Sequence, residues 1–334
     1  MPRLSNHRRR RGARQGFTFL CAAAMVCALT ALAQAQERSP ERVLVGVPSR
    51  SMTWFPAYLA QKKNFYLQEG LDLHFVQMRC PLAVAGHLSG EVDYSTCTTT
   101  IINVATTGNI PAKMFFNITG KPLHSFVVNP RFTSVREMKG AKVAINSFGT
   151  LNEMEVKVML ERNGLPANWF TLLVVPDDTG RVIALKTGSV DASLLSLPFD
   201  IHAEKLGFRT LVHMRDIMEV PFAGLGAANK KLENRPDQVR KVVRATLRGL
   251  AYAKANRRES IELIRSWTGM ELSIAEQSYD RAAPAWTDNG ISPDKGILIN
   301  IELAKQAGGI KTDVPMSRVV DWSITEAELR SGSK

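Results

Sequence analysis

GEVDYST (residues 90–96) and GSVDASL (residues 188–194) spell Gly-x-Val-Asp-x-Ser twice in one chain of 334 residues. Each string follows a segment of helical character, LAVAGHLS (82–89) and RVIALKT (181–187). A six-residue degenerate match is weak alone, but here the flanking segments match too. In each copy Gly suits the left-handed end of a helix, and Val enters a sheet core. Asp and Ser are expected to serve the turn. The two strings therefore read as equivalent corners of two similar α/β units.

Working outward, short β-type runs alternate with amphipathic helical ones. RVLVGVP (42–48), LDLHFVQM (71–78), KMFFNI (113–118) and HSFVVN (124–129) are expected strands, and residues 56–70 and 98–108 expected helices. After a break near 129–140 the alternation restarts. AKVAIN (141–146), TLLVVP (171–176), VDASLLS (190–196) and FRTLVHM (208–214) read as strands, with helices at 151–163, 180–188 and 198–207. Strand–helix–strand repetition implies right-handed crossovers and a mainly parallel sheet flanked by helices, built twice. From about Asn229 the chain reads as helical. Val239, Val242, Val243, Leu247 and Leu250 recur at 3–4 spacing, a one-sided apolar face.

The first 35 residues stand apart. They carry six Arg and no acid, then the apolar run FTFLCAAAMVCALTALA (17–33), then Ala33-Gln34-Ala35. That order is the signature of an export signal, with cleavage expected near Ala35 and a periplasmic product. Without it the formal charge falls from +12 (43 basic minus 31 acidic residues) to +6. That charge is too small and too scattered for a nucleic-acid-binding face. Cys80 and Cys97 remain, and nothing in their spacing decides between a disulfide and two thiols.

Catalytic patterns are thin. The His residues show no H-E-x-x-H spacing, and neither a nucleophile elbow nor a phosphate loop occurs. The pair Asp177-Asp178 reads as a loop. The positions after the strands are richer, and in open parallel sheets ligands bind there. This chain places Ser49 to Phe55, Thr96 to Thr100, Ser147 to Thr150 and Ser196 to Phe199 at four such positions, all with hydroxyls. These hydroxyls suit N-caps as well as a polar binding cleft. Met52, Trp54 and Phe55 suit the wall of such a cleft as well as a core.

The strings VGVPSRSMTWFPAYLAQKKNFYLQEGLDLHFV (45–76), GEVDYST, SVREMKGAKVAINSFGT (134–150), GSVDASLLSLP (188–198) and NRPDQVRKVVRATLRGLAYAKANRRESIELI (234–264) together resemble periplasmic solute-binding proteins of ABC importers. The resemblance is to the group that takes taurine, alkanesulfonates, nitrate and thiamine-pyrimidine precursors. It implies a two-lobe type II periplasmic-binding-protein fold joined by two hinge strands, with crossings near residues 126–130 and 221–228. Residues 36–128 and 224–334 would then form lobe 1, and residues 129–223 lobe 2. It also implies ligand contacts at Ser51, Met52, Trp54, Thr96, Thr98, Ser147, Gly149, Thr150, Ser196 and Pro198. Its further implications are a monomer without cofactor, metal or catalysis, a small organic anion or polar aromatic ligand, and a membrane permease and ATPase as partners. An enzyme on the same scaffold, or a ligand-sensing receptor, is the alternative.

Overall fold

A computed structural model describes residues 39–108 and 110–332; the expected export signal lies outside the described residues. The strands are β1 (Glu41–Val47), β2 (Leu71–Gln77), β3 (Tyr94–Ser95), β4 (Ala112–Thr119), β5 (His124–Val128), β6 (Lys142–Ile145), β7 (Thr171–Val174), β8 (Ala192–Ser196), β9 (Arg209–His213) and β10 (Ala223–Ala228). The helices are α1 (Phe55–Lys62), α2 (Phe65–Gln68), α3 (Cys80–Ser89), α4 (Thr98–Thr107), α5 (Leu151–Arg162), α6 (Asp178–Lys186) and α7 (Phe199–Lys205). They continue as α8 (Asn229–Asn234), α9 (Pro236–Ala255), α10 (Arg257–Thr268), α11 (Leu272–Ala282), α12 (Asp294–Gly308) and α13 (Ser323–Gly332).

Two five-stranded sheets result, ordered β2-β1-β3-β10-β4 and β7-β6-β8-β5-β9. The two orders are the same pattern. In each, the unit's second, first and third strands are followed by a strand from the other half of the chain, then by the unit's last strand. β1 pairs parallel with β3, and β6 parallel with β7 and β8. The visiting strands run the other way: β10 is antiparallel to β3 and β4, and β5 to β8 and β9. Each sheet is thus mixed, because the chain enters the second lobe and leaves it by strands that return against the parallel set.

The crossings follow from this pairing. β4 ends at Thr119 in the first sheet and β5 begins at His124 in the second, so the first crossing spans residues 120–123, upstream of the expected 126–130. Residues 124–128, expected in the first lobe, belong to the second sheet. β9 ends at His213 and β10 starts at Ala223 in the first sheet, so the return is complete before Ala223.

The repeated Asp does more than turn the chain. Asp93 N–H donates to Leu44 O at 3.0 Å, and Leu44 N–H donates to Asp93 Oδ2 at 2.8 Å. In the second lobe Asp191 N–H donates to Lys142 O at 2.8 Å and Lys142 N–H to Asp191 Oδ2 at 2.9 Å. Both carboxylates also meet a base, Lys231 for Asp93 and Arg131 for Asp191. Each Asp therefore fastens its own strand to the first strand of its sheet. Gly90 (φ +82°) and Gly188 (φ +69°) take the left-handed conformation the corner requires.

Helices cover both faces of the second sheet, so its strands are apolar in succession. Phe126, Val143 and Leu194 pack on one face, and Val127, Ala144 and Leu195 on the other. In the first lobe the expected face of α9 is buried through Val239, Val242, Val243 and Leu250. The helix expected over 56–70 is two helices, because Asn64 adopts φ +59° between them.

Candidate functional site

Loops from both sheets line a cavity of about 60 Å³. From the first lobe it is lined by Ser49, Ser51, Thr53, Thr96, Thr98 and Thr99, with Cys80 and Cys97. From the second it is lined by His124, Asn146, Thr150, Asp178, Arg181 and Ser196. The lobes are shut on it. Met52 N–H donates to Leu197 O at 3.0 Å, Ser49 Oγ to Asp178 Oδ2 at 2.7 Å, and Asn103 Nδ2 to Gly149 O at 3.3 Å, each from the first lobe to the second.

Helices α3, α4 and α5 begin at this cavity, and none has a side-chain cap. Thr150, at the N-cap of α5, donates its hydroxyl to Ser147 O (2.7 Å) and Asn146 Oδ1 (2.6 Å). At α4 and α5 the cap reading of the sequence does not hold, and at all three starts first-turn N–H groups, which lack intrahelical partners, remain available. Thr96 Oγ1 and Thr99 Oγ1 are buried at the cavity and meet no protein partner. Three positive helix ends and two unspent hydroxyls make an environment for a small polar or anionic group. By contrast α6 is capped, since Asp177 accepts from Gly180 N–H at 2.8 Å.

Asp178, in the first turn of α6, is the most heavily bonded group of the cleft. Its Oδ1 accepts from Arg181 Nη2 at 2.6 Å and from Ser196 N–H at 3.0 Å. Its Oδ2 accepts from Ser196 Oγ at 2.8 Å as well as from Ser49. Burial by itself would push this carboxyl up, but the Arg181 charge and the hydrogen bonds from Ser196 and Ser49 outweigh it. The group therefore lies below the usual carboxylate range. Arg181 is equally buried and spends its Nη1 on Val175 O and Pro176 O.

Of the residues expected at the site, Ser51, Thr96, Thr98, Thr150 and Ser196 line the cavity. Met52 and Trp54 lie in the core of the first lobe, where Trp54 Nε1 donates to Ser49 O and Trp286 Nε1 to Met52 O. Ser147 is half-buried behind Asn146, Gly149 is exposed, and Pro198 sits at the start of α7. Arg50 and Arg79 are at the surface. Sequence reasoning placed Ser49 and Thr53 in a candidate rim loop without singling them out, and it missed His124, Asn146, Asp178 and Arg181. Two signals for them exist. In Ser49-Arg50-Ser51-Met52-Thr53-Trp54 small hydroxyls alternate with larger side chains, and the hydroxyls all face the cavity. In Asp177-Asp178 one acid suffices as the cap, which leaves the second for another task.

Cys80 and Cys97 form a disulfide, with Cα atoms 5.5 Å apart, joining the start of α3 to the N-cap of α4 at the cavity wall. Among the described residues no group of three His, Cys, Asp or Glu could hold a metal ion, and no helix is long and apolar enough to cross a membrane.

Comparison with known proteins agrees with this architecture. The chain is 23% identical over 287 residues to the riboflavin-binding protein RibY of Chloroflexus aurantiacus, covering 83% of this chain and 76% of the relative. A structure from Bordetella bronchiseptica RB50 superposes with a TM-score of 0.78 at 17% identity, covering 89% of this chain and 99% of that one. The alkanesulfonate-binding protein SsuA of Xanthomonas axonopodis pv. citri, bound to MOPS, superposes with a TM-score of 0.72 at 15% identity, covering 85% and 99%. These likenesses establish the two-lobe fold. Residues 52–260 match the NMT1/THI5-like family, and on that match, which spans more than half of the chain, this protein belongs to the NMT1/THI5-like family.

Proposed function

We propose that the chain is the extracytoplasmic solute-binding component of an ABC importer. It captures a small organic anion between its lobes and delivers it, as a monomer, to a membrane permease driven by an ATPase. The observation that carries this reading is the closed polar cavity, where three uncapped helix starts meet the unpartnered hydroxyls of Thr96 and Thr99. Binding of this kind needs closure favoured by contacts from both lobes, and both lobes line the cavity. The chemistry is capture without bond-breaking.

The size of the cavity bears on the ligand. Sites for drug-sized molecules measure roughly 300–1,000 Å³, far above the 60 Å³ enclosed here. The shut cleft suits a headgroup of a few atoms, such as a sulfonate or carboxylate. RibY is named for riboflavin, and a ligand of that size would need a wider cleft. The sulfonate group of the MOPS bound to SsuA is of the class these walls suit, and the rest of that molecule would likewise need a wider cleft.

A thermal-shift screen of the purified protein tests this. The panel is methanesulfonate, taurine, benzoate, nitrate, a hydroxymethylpyrimidine and riboflavin. A true ligand raises Tm progressively once its concentration exceeds Kd. An anion that stabilises the protein supports the reading, and stabilisation by riboflavin or the pyrimidine alone replaces the ligand class. Steady product formation from any hit replaces binding with catalysis.

A further inference from the structure

Glu155, on α5, is wholly buried behind the cavity. Its carboxylate lies 2.7 Å (Oε2) and 2.9 Å (Oε1) from His124 Nδ1, and Oε2 accepts from Asn152 Nδ2 at 3.2 Å. The Asn152 amide is itself oriented, since its Oδ1 accepts Asn146 N–H at 3.1 Å and turns its nitrogen toward Glu155 and the His124 ring. Among the described ion pairs, His124 is the basic partner of Glu155. A carboxyl buried in this way needs a hydrogen-bond donor, and the geometry gives it Nδ1–H of His124. With Nδ1–H committed to Glu155, the remaining polar atom of the ring is Nε2, which has Asn152 Nδ2 at 3.4 Å beside it. The ring stands edge-on to Phe222 at 4.5 Å, and the residue lines the cavity.

The other two charged side chains that line the cavity cancel each other in net charge, although Arg181 Nε is buried there without a partner. Asp178 and Arg181, from α6, pair with each other at 2.6 Å, and the first lobe contributes hydroxyls and a disulfide there. We propose that His124 is the residue that selects a negatively charged headgroup, its imidazolium held by Glu155 so that Nε2–H is presented to the cavity. Glu155 is a positioning residue: it acts through the ring and touches no ligand. In the neutral ring Nε2 becomes an acceptor, which opposes an anion. This inference rests on the anion-binding reading of the cleft.

Isothermal titration of methanesulfonate, with uncharged dimethyl sulfone as its control, tests the proposal on the wild type, His124→Gln and Glu155→Gln. A charge-assisted hydrogen bond is worth about tenfold or more in affinity. His124→Gln should bind the sulfonate about tenfold more weakly than the wild type. Glu155→Gln should lie between the two, and dimethyl sulfone should distinguish none of them. Ring ¹⁵N NMR of the ligand-free wild type needs no variant and no ligand: a neutral ring at the pH of the binding assay overturns the assignment. Sulfonate binding that ignores His124→Gln overturns this inference and leaves anion capture standing. If the sulfonate binds nowhere while riboflavin or the pyrimidine binds, the anion reading and this inference fall together.

Discussion

Ser49 Oγ donates to Asp178 Oδ2 at 2.7 Å, joining the first lobe to the second across the closed cleft. The two partners differ in what else they hold. Ser49 contributes one hydroxyl to a carboxylate that keeps Ser196 and Arg181 without it, whereas Asp178 is the countercharge of a buried guanidinium. Asp178→Asn should lower unfolding stability by about 3–5 kcal/mol, because it leaves Arg181 buried and unpaired. Ser49→Ala should leave the urea midpoint nearly unchanged and open the ligand-free protein, seen as a larger radius of gyration in small-angle scattering. Equal loss of stability in both variants would mean that the bond holds the fold rather than the closure.

The Cys80–Cys97 bridge closes a short loop, with a sequence separation of 17. Constraining a loop of that length in the unfolded chain stabilises the fold by roughly 3 kcal/mol. Cys80→Ser with Cys97→Ser should lower the urea unfolding free energy by about that amount. Reductant should do the same to the wild type and nothing to the double variant.

Gly249 lies inside α9, where local propensity favours Ala by about 0.8–1.0 kcal/mol. Packing decides the other way. A Cβ there would stand 2.4 Å from Pro56 O and 2.7 Å from Ala60 Cβ, both on α1. The Pro56 oxygen is backbone and has no rotamer to retreat into. Gly249→Ala should therefore destabilise by about 1–3 kcal/mol, as overpacked cores do, read from thermal or urea unfolding. A gain in Tm would show that α1 and α9 separate easily.

His87 is buried at the end of α3, and burial pushes its imidazole down to about 4 against the opposing pull of the Tyr94 backbone and Asp93. Below about 6.5 the unfolded chain takes up a proton that the folded chain refuses until about 4, so stability falls as pH falls through that window. At pH 5 the loss from this residue is about 2 kcal/mol. His87→Leu should show a smaller drop in unfolding free energy between pH 7 and pH 5 than the wild type. Asp200 pulls the other way, being raised to about 6 mainly by burial, and the comparison of variant with wild type cancels it. Identical pH profiles would clear His87 of the role.

The site was legible in part, and the loop after β1 shows why. The type of this loop, polar and small at the end of a first strand, marks it as a rim, and Ser51 is on the cavity. Met52 and Trp54 come from the same loop, but their side chains turn into the core. Loop position predicts which segment reaches the cleft, whereas facing depends on backbone geometry that composition does not express. His124 was unreadable for a different reason: its partner Glu155 lies 31 residues away on another element.

Periodicity, the doubled Gly-x-Val-Asp-x-Ser and the one-sided face of α9 determined from sequence alone that there are two like α/β units and a helical return. Those features are properties of single segments, because burying one face of a strand or helix imposes its own spacing on the residues. The tertiary structure alone decided where the chain crosses between the sheets, that Cys80 meets Cys97, and that Asp178 spans the cleft to a serine 129 residues away. Such pairings exist once two units have packed and shut, and no local pattern encodes the distance between them.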